Sequence, residues 1–368
     1  MKVIIVGGGI AGLSTAWALT KRGHTVTLIE RGQIPNPIAA SGDHHRIMRR
    51  AYSAASGYAP MITEAFEAWD SVWEDIGANH YDARGFALFS HYDGDDADVF
   101  RKGLDAGGFA YDYVKDEEWQ QRFPFLERDA MQWGVFSPEG GELHCRKIAL
   151  GLRDWLLARS TKLIENTNVT AIDTDYAVVT LADGSTLSAD RIVFAAGGWT
   201  PDLLPHMQEQ LTIYRTAVVY MNPPAQFAAA WEASPVILDI GGKIEGYVLP
   251  PSGGAGLKFG STQHRRKAEN ADTNRIAREN EGHEMLAYFS GVIRNLDQYQ
   301  PLDVVTCAYT YTTDENFTAE QLGRTLVVSA CSGHGYKFGS AVGRRAADAV
   351  ETGDVAGLKR WLAPARFA

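Results

Sequence analysis

The stretch KVIIVGGGIAGLSTAWALTKRGHTVTLIE (Lys2–Glu30) decides the fold. Val3–Val6 is a short apolar run of the buried-strand kind. A glycine turn follows, and the spacing predicts a helix over Ile10–Lys21 and a second strand over Thr25–Glu30. Strand, turn, helix and strand make a βαβ unit, whose parallel strands require cover on both faces of the sheet. Inside it, Gly7-Gly8-Gly9-Ile10-Ala11-Gly12 is a GxGxxG. The motif is weak alone, but here it sits between a strand and a helix, with an acidic residue closing the next strand. Gly7 permits the tight turn, Gly9 lets the backbone approach a pyrophosphate, and Gly12 lets helix and strand pack closely. The helix N-terminus at Ile10 and Ala11 then holds phosphate, and Glu30 meets ribose hydroxyls. A carboxylate there disfavours a 2′-phosphate.

Working outward, Ala59–Ala78 repeats Ile62, Phe66, Trp69, Trp73 and Ile76 at three- and four-residue steps, which is one apolar helix face. Arg146–Ser160 reads as another helix. Strands are expected at Gly85–Ser90, Tyr214–Met221, Pro235–Ile240 and Gly246–Pro250. Asn168–Gly198 reads as a β-rich return with a hairpin turn at ADGS. It ends in RIVFAAGGW, a strand running into small residues at Ala196, Gly197 and Trp199. Such a strand can approach a second stretch of an extended dinucleotide, which favours FAD over NAD. Arg324–Asp354 returns to strand, glycine turn and helix. The fold class is therefore α/β: a Rossmann-type FAD-binding domain over 1–80, 145–212 and 305–368, with an inserted mixed-sheet α+β substrate domain over 81–144 and 213–304.

The totals bound the function. A chain of 368 residues that is 45% hydrophobic can bury a large core. A net charge of −10 argues against nucleic acid and anionic membranes as partners. Neither a signal peptide nor a transmembrane segment is visible. Three cysteines without CxxC spacing fit a reducing compartment, so a cytoplasmic, monomeric protein acting on a small molecule is expected, with no metal. Cysteines 145, 307 and 331 would ordinarily pack as small buried hydrophobes. Lys258, in the glycine-rich apolar run GAGLKFGS, is costly to bury without a task. In SGHGYKFGSAVG (Ser332–Gly343), glycines bracket His334 and Lys337 ahead of a helix, a setting that favours negative charge.

The fingerprint, HRIMRRAYS, GLKFG, TCAYT and SGHGYKFGSAVG occur in that order over nearly the whole chain. Together they resemble the monomeric sarcosine oxidase and N-methyl amino acid oxidase group of the D-amino-acid-oxidase-like flavoproteins. The resemblance implies FAD attached covalently to Cys307, in CAYT. It implies Lys258 as the residue that promotes reaction with oxygen, and Arg49 with Lys337 as a clamp on a substrate carboxylate. It implies Arg46 beside the flavin, and Tyr247 and Tyr309 lining the substrate cavity. Gly333, His334, Gly335 and Tyr336 join Lys337 on the cofactor, and contacts from Arg31, Ser41 and Val169 are expected too. Two positions depart from the family. Thr262 stands where the family has a histidine four residues after its lysine, which reshapes the pocket beside the substrate amine. Gly42 stands in place of a second histidine, with His44 and His45 displaced just beyond it.

The expected activity is oxidation of an amino-acid amine, secondary in the sense of N-alkyl or cyclic imino acids, to an imine with hydrogen peroxide. The alternatives are a dehydrogenase of the same fold that passes electrons to a quinone or carrier, a flavin-binding subunit without turnover, and a hydroxylase using NADH.

Overall fold

A computed structural model describes residues 1–329 and 331–366. Residue 330, in the expected C-terminal turn, and residues 367 and 368, at the end of the expected first domain, lie outside the described residues. The opening unit forms as its sequence requires: strand Lys2–Val6, helix Ile10–Lys21, strand Thr25–Ile29. Gly7 adopts φ +108°, and a Cβ there would lie 2.4 Å from the Ala195 carbonyl oxygen, so only glycine fits the turn. A Cβ on Gly12 would lie 1.9 Å from the Gly7 carbonyl oxygen, which is why the helix can sit directly on the turn.

Six strands make the first sheet, in the order Thr318–Leu322, Thr325–Ser329, Arg191–Phe194, Lys2–Val6, Thr25–Ile29 and Lys162–Ile164. All neighbours are parallel except the edge pair Thr318–Leu322 and Thr325–Ser329. On one face lie the helices Ile10–Lys21, Tyr58–Ile76, Cys145–Ala158 and Gly339–Thr352. The Tyr58–Ile76 helix turns Ile62, Trp69 and Trp73 into this layer, as its periodicity requires. On the other face a three-stranded meander, Val169–Asp173, Val178–Leu181 and Thr186–Ser188, covers Ile4, Val6, Ile192 and Phe194. This is the doubly covered parallel sheet that the first stretch implied.

A nine-stranded sheet forms the second half. The long antiparallel pair Thr212–Asn222 and Gln300–Tyr311 lies at one end, with Leu257–Ser261, Gly246–Leu249 and Val236–Ile240 following in order. Val236–Ile240 then pairs in parallel with Phe86–Ser90, so the sheet is mixed. Between the two large sheets a small one joins His45–Arg49 to Gly140–His144. That strand carries two arginines to the junction. No described helix is long and apolar enough to cross a membrane.

Candidate active site

A cleft of about 1180 Å³ runs from the glycine turn to the nine-stranded sheet. Its size exceeds the usual pocket for a small ligand, and suits an extended dinucleotide with a small substrate beside it. At the first end, Gly7, Gly9, Ile10 and Ala11 line the cleft, while Gly12 lies behind them. Gly9 is the N-cap of its helix and has no side-chain cap; the helix's first turn holds no acidic residue. The Ile10 N–H donates to Ser41 Oγ at 3.2 Å. Glu30 lines the cleft and accepts from the Gly8 N–H at 2.6 Å, the Gly32 N–H at 2.9 Å and Asn36 Nδ2 at 2.8 Å. A carboxylate has about four acceptor positions, so one remains for a ligand hydroxyl. Beyond it, the Arg31 guanidinium lies 4.6 Å from the Trp199 ring centroid. Asp272 ties both down, through Arg31 Nη1 at 3.3 Å and Trp199 Nε1 at 3.0 Å. Val169, Ala196 and Gly197 complete that wall. A helix N-terminus with no acidic residue in its first turn, small residues and a carboxylate with a free lone pair fit the diphosphate and ribose of FAD.

At the second end, the expected residues converge. Arg46, Arg49, Tyr247, Lys258, Thr262 and Tyr309 all line the cleft. Strand register explains several of them. Tyr247 stands opposite Gly260, and a Cβ there would lie 2.3 Å from the tyrosine ring, so the glycine makes room for the ring across its strand. Lys258 stands between Tyr220 and Leu249 in the middle of the sheet and is 0% exposed. Its ammonium donates to Asp43 Oδ2 at 3.1 Å and to the His45 carbonyl. Asp43 also pairs with Arg46 and accepts from the Tyr220 hydroxyl at 2.6 Å. Burial works to raise the Asp43 carboxyl, but Lys258 and Arg46, with the Tyr220 hydroxyl, hold it well below the usual carboxylate range. Burial lowers the Lys258 ammonium, and Asp43 pulls it back up. The net direction is down, and the lysine is clamped against a carboxylate that the sequence did not reveal.

Arg49 and Lys337 are different. Arg49 donates to the Ala51 carbonyl, and its guanidinium lies 4.6 Å from the Tyr52 ring and 4.5 Å from the Phe100 ring. Lys337 is 5% exposed, donates to the His334 carbonyl at 2.9 Å and lies 5.6 Å from the same Tyr52 ring. Burial, then Arg49 and Arg46, push the Lys337 ammonium well below the usual lysine value. Among the described residues neither cation has an ion-pair partner. Two basic side chains facing one cleft without an ion-pair partner are a place for an anion, which favours the proton on Lys337.

In the C-terminal turn, Gly333, His334, Gly335 and Tyr336 line the cleft. The long helix itself starts only at Gly339, after one 3-10 turn at Tyr336–Phe338. His334 is packed between Tyr58, Phe317 and Phe338, and its Nδ1 shares a hydrogen bond with the Tyr52 hydroxyl at 3.2 Å. Cys307 is 1% exposed, with its sulfur 3.5 Å from Arg46 Nη2. It lies behind the lining residues, two positions from Tyr309 on the same strand face, whereas Cys331 lines the cleft directly. Cys145 is fully buried. The displaced histidines face elsewhere: His45 is fully buried against Glu142, with Nδ1 to Oε2 at 3.0 Å, and neither it nor His44 lines the cleft. Sequence reasoning missed Asp43, Tyr52, Tyr220, Asp96, Asp239 and Glu245. Tyr52 stands inside HRIMRRAYS without being singled out there, and the others stand in no local pattern that marks a site.

Residues 2–349 match the family model described as FAD dependent oxidoreductase, DAO. The chain is 25% identical over 373 residues to the monomeric sarcosine oxidase of Bacillus sp. (strain B-0618), covering 95% of this chain and 92% of that one. It is 26% identical over 362 residues to the N-methyl-L-tryptophan oxidase of Yersinia pestis (strain Pestoides F), covering 94% and 93%. Among solved structures, the L-proline dehydrogenase from P. horikoshii superposes with a TM-score of 0.82 at 19% identity, covering 100% of this chain and 97% of that one. The open form of NikD, described as an unusual amino acid oxidase essential for nikkomycin biosynthesis, gives 0.79 at 20%, covering 96% and 94%. At these identities the superpositions speak for the two-domain fold. With the family match spanning nearly the whole chain, the protein belongs to the DAO family of FAD-dependent oxidoreductases.

Proposed function

We propose that this protein is an FAD-dependent oxidase of an amino-acid amine, a secondary amine of the N-alkyl or cyclic imino kind, with an imine and hydrogen peroxide as products. One observation carries the reading: Arg49, half-buried, and Lys337, buried, line the same cleft as Lys258, and among the described residues neither has an ion-pair partner. The names of the two relatives, a sarcosine oxidase and an N-methyl-L-tryptophan oxidase, agree with it. Bound FAD supplies the two-electron acceptor. Arg49 offers a planar fork to the substrate carboxylate and Lys337 a point charge, both beside the Tyr52 ring. Tyr247 and Tyr309 wall the amine and keep water away from it. Thr262 is spoken for, since its hydroxyl donates to Glu245 Oε2 at 2.6 Å. Lys258 holds a positive charge where negative charge develops on oxygen. The amine binds unprotonated, so no strong general base is required.

The same reading takes the first sheet with its helices as the FAD-binding domain, in the segments 1–80, 145–212 and 305–368, and the rest as the substrate domain. The working assembly is a cytoplasmic monomer. The test is anaerobic mixing with sarcosine, N-methyl amino acids, proline, pipecolate, glycated amino acids and primary amino acids, watching the visible flavin band. Bleaching that air reverses, with peroxide formed, supports an oxidase. Bleaching that air does not reverse makes it a dehydrogenase, and bleaching by none removes the amino-acid reading.

Covalent attachment at Cys307 belongs to the same proposal. After acid precipitation the yellow colour is expected in the pellet for the wild type and for Cys331→Ala, and in the supernatant for Cys307→Ala. A tryptic flavopeptide containing Cys331 instead would reassign the link to the cysteine that lines the cleft.

A further inference from the structure

The substrate end of the cleft holds a group that the proposed reaction does not use. Asp239 lines it together with Asp96 and Glu245. Asp239 stands at a register shift between the strands Val236–Ile240 and Gly246–Leu249, with φ +52°. Such a bulge turns a side chain away from the alternation of its strand. The residue is 6% exposed, and its Oδ2 is buried with no hydrogen-bond partner. Burial, then Asp96, Asp95 and Glu245, push its carboxyl up to about 8; the Ala97 N–H works the other way. Asp95 is consumed as the cap of the helix Asp96–Gly107. Among the described residues, Asp96, Asp239 and Glu245 have no ion-pair partner. Arg49 lines the same cleft as these carboxylates, so one ligand can meet both the anion site and them.

A buried carboxyl oxygen without a donor costs free energy, and three clustered carboxyls repel each other when ionised. Both costs vanish if a cation binds there. Resting on the amino-acid reading above for the carboxylate at Arg49, we infer that Asp239, with Asp96 and Glu245, is a cation subsite, and that the substrate is an amino-acid amine whose side chain ends in an amine or guanidine.

The test is equilibrium binding by calorimetry to the holoenzyme, using ligands with no α-amine to oxidise. The ligands are 4-aminobutanoate, 5-aminopentanoate and 6-aminohexanoate, each against the unsubstituted acid of the same length. At one of these lengths the aminated acid is expected to bind at least about tenfold more tightly, a difference worth about one decade of Kd. Asp239→Asn keeps an acceptor for the Ala97 N–H and removes the charge, so it is expected to abolish the difference. Should that variant fail to keep its flavin, Asp96→Asn on the rim is expected to shrink the difference. Equal affinity for aminated and plain acids at every length overturns the subsite, whatever the enzyme oxidises. Weak binding of the plain acids, with the amine preference intact, instead counts against the carboxylate at Arg49.

Discussion

Replacing Lys258 with methionine is expected to slow the reaction of the reduced enzyme with oxygen by about 10²–10³-fold, the loss typical of removing one preorganised charge-stabilising group. Reduction by substrate is expected to change by less than about tenfold, which is under 1.4 kcal/mol of barrier. Methionine has nearly the volume of the lysine stem, so the centre of the sheet stays filled. Asp43 keeps Arg46 and the Tyr220 hydroxyl, so it does not become an unpaired buried charge. Stopped-flow mixing of anaerobically reduced protein with oxygenated buffer reads the first step, and anaerobic mixing with substrate reads the second. Equal slowing of both takes Lys258 out of the path of oxygen.

The clamp adds a pH dependence whose sign follows from its parts. Burial and Arg46 favour the neutral lysine, while Asp43 favours the ammonium. Replacing Asp43 with asparagine removes the upward pull, so the lysine loses its proton at lower pH than in the wild type. The oxygen rate is therefore expected to decline on the alkaline side, and to decline earlier in the variant. A profile that does not move would mean that the charge on Lys258 does not set the rate.

The parts of this molecule that are legible in sequence are those where backbone geometry dictates the residue. Gly7 must be glycine because its φ is +108° and the Ala195 carbonyl leaves no room for a side chain. The Tyr58–Ile76 helix is legible because one face must be apolar along its length. Lys258 stood out because a charge in an apolar run needs a reason. Its partner is invisible, since Asp43 lies 215 positions away and meets it only in the folded chain. Asp239 was hidden more deeply: its strand reads as an ordinary buried run, and only a register shift in the sheet turns its carboxyl toward the cleft. Only four strands of the nine-stranded sheet are legible, and its topology is not, because the long pairing of Thr212–Asn222 with Gln300–Tyr311 leaves no local mark.

Arg49→Ala is the other large effect. Truncating one partner of a buried charge pair costs about 2–5 kcal/mol. On that scale kcat/KM for an amino-acid amine is expected to fall by a factor on the order of 30 to several thousand. The loss belongs in KM. The substrate carboxylate carries the same charge before and during oxidation at the neighbouring carbon. Its attraction to Arg49 is therefore nearly uniform along the reaction, and uniform binding lowers KM without raising kcat. Lys337 softens the blow. Arg49 is among the groups that hold its ammonium down, so removing the guanidinium lets Lys337 take up its proton more readily and keep part of the anion site. Arg49→Lys keeps a charge but loses the planar fork, and is expected to fall between alanine and wild type. The double change of Arg49 to alanine and Lys337 to methionine is expected to remove the preference for a free acid over its amide. Initial rates against an acid and amide pair read all three variants. A KM that stays put in Arg49→Ala takes the arginine out of the substrate site, and with it the observation on which the oxidase reading rests.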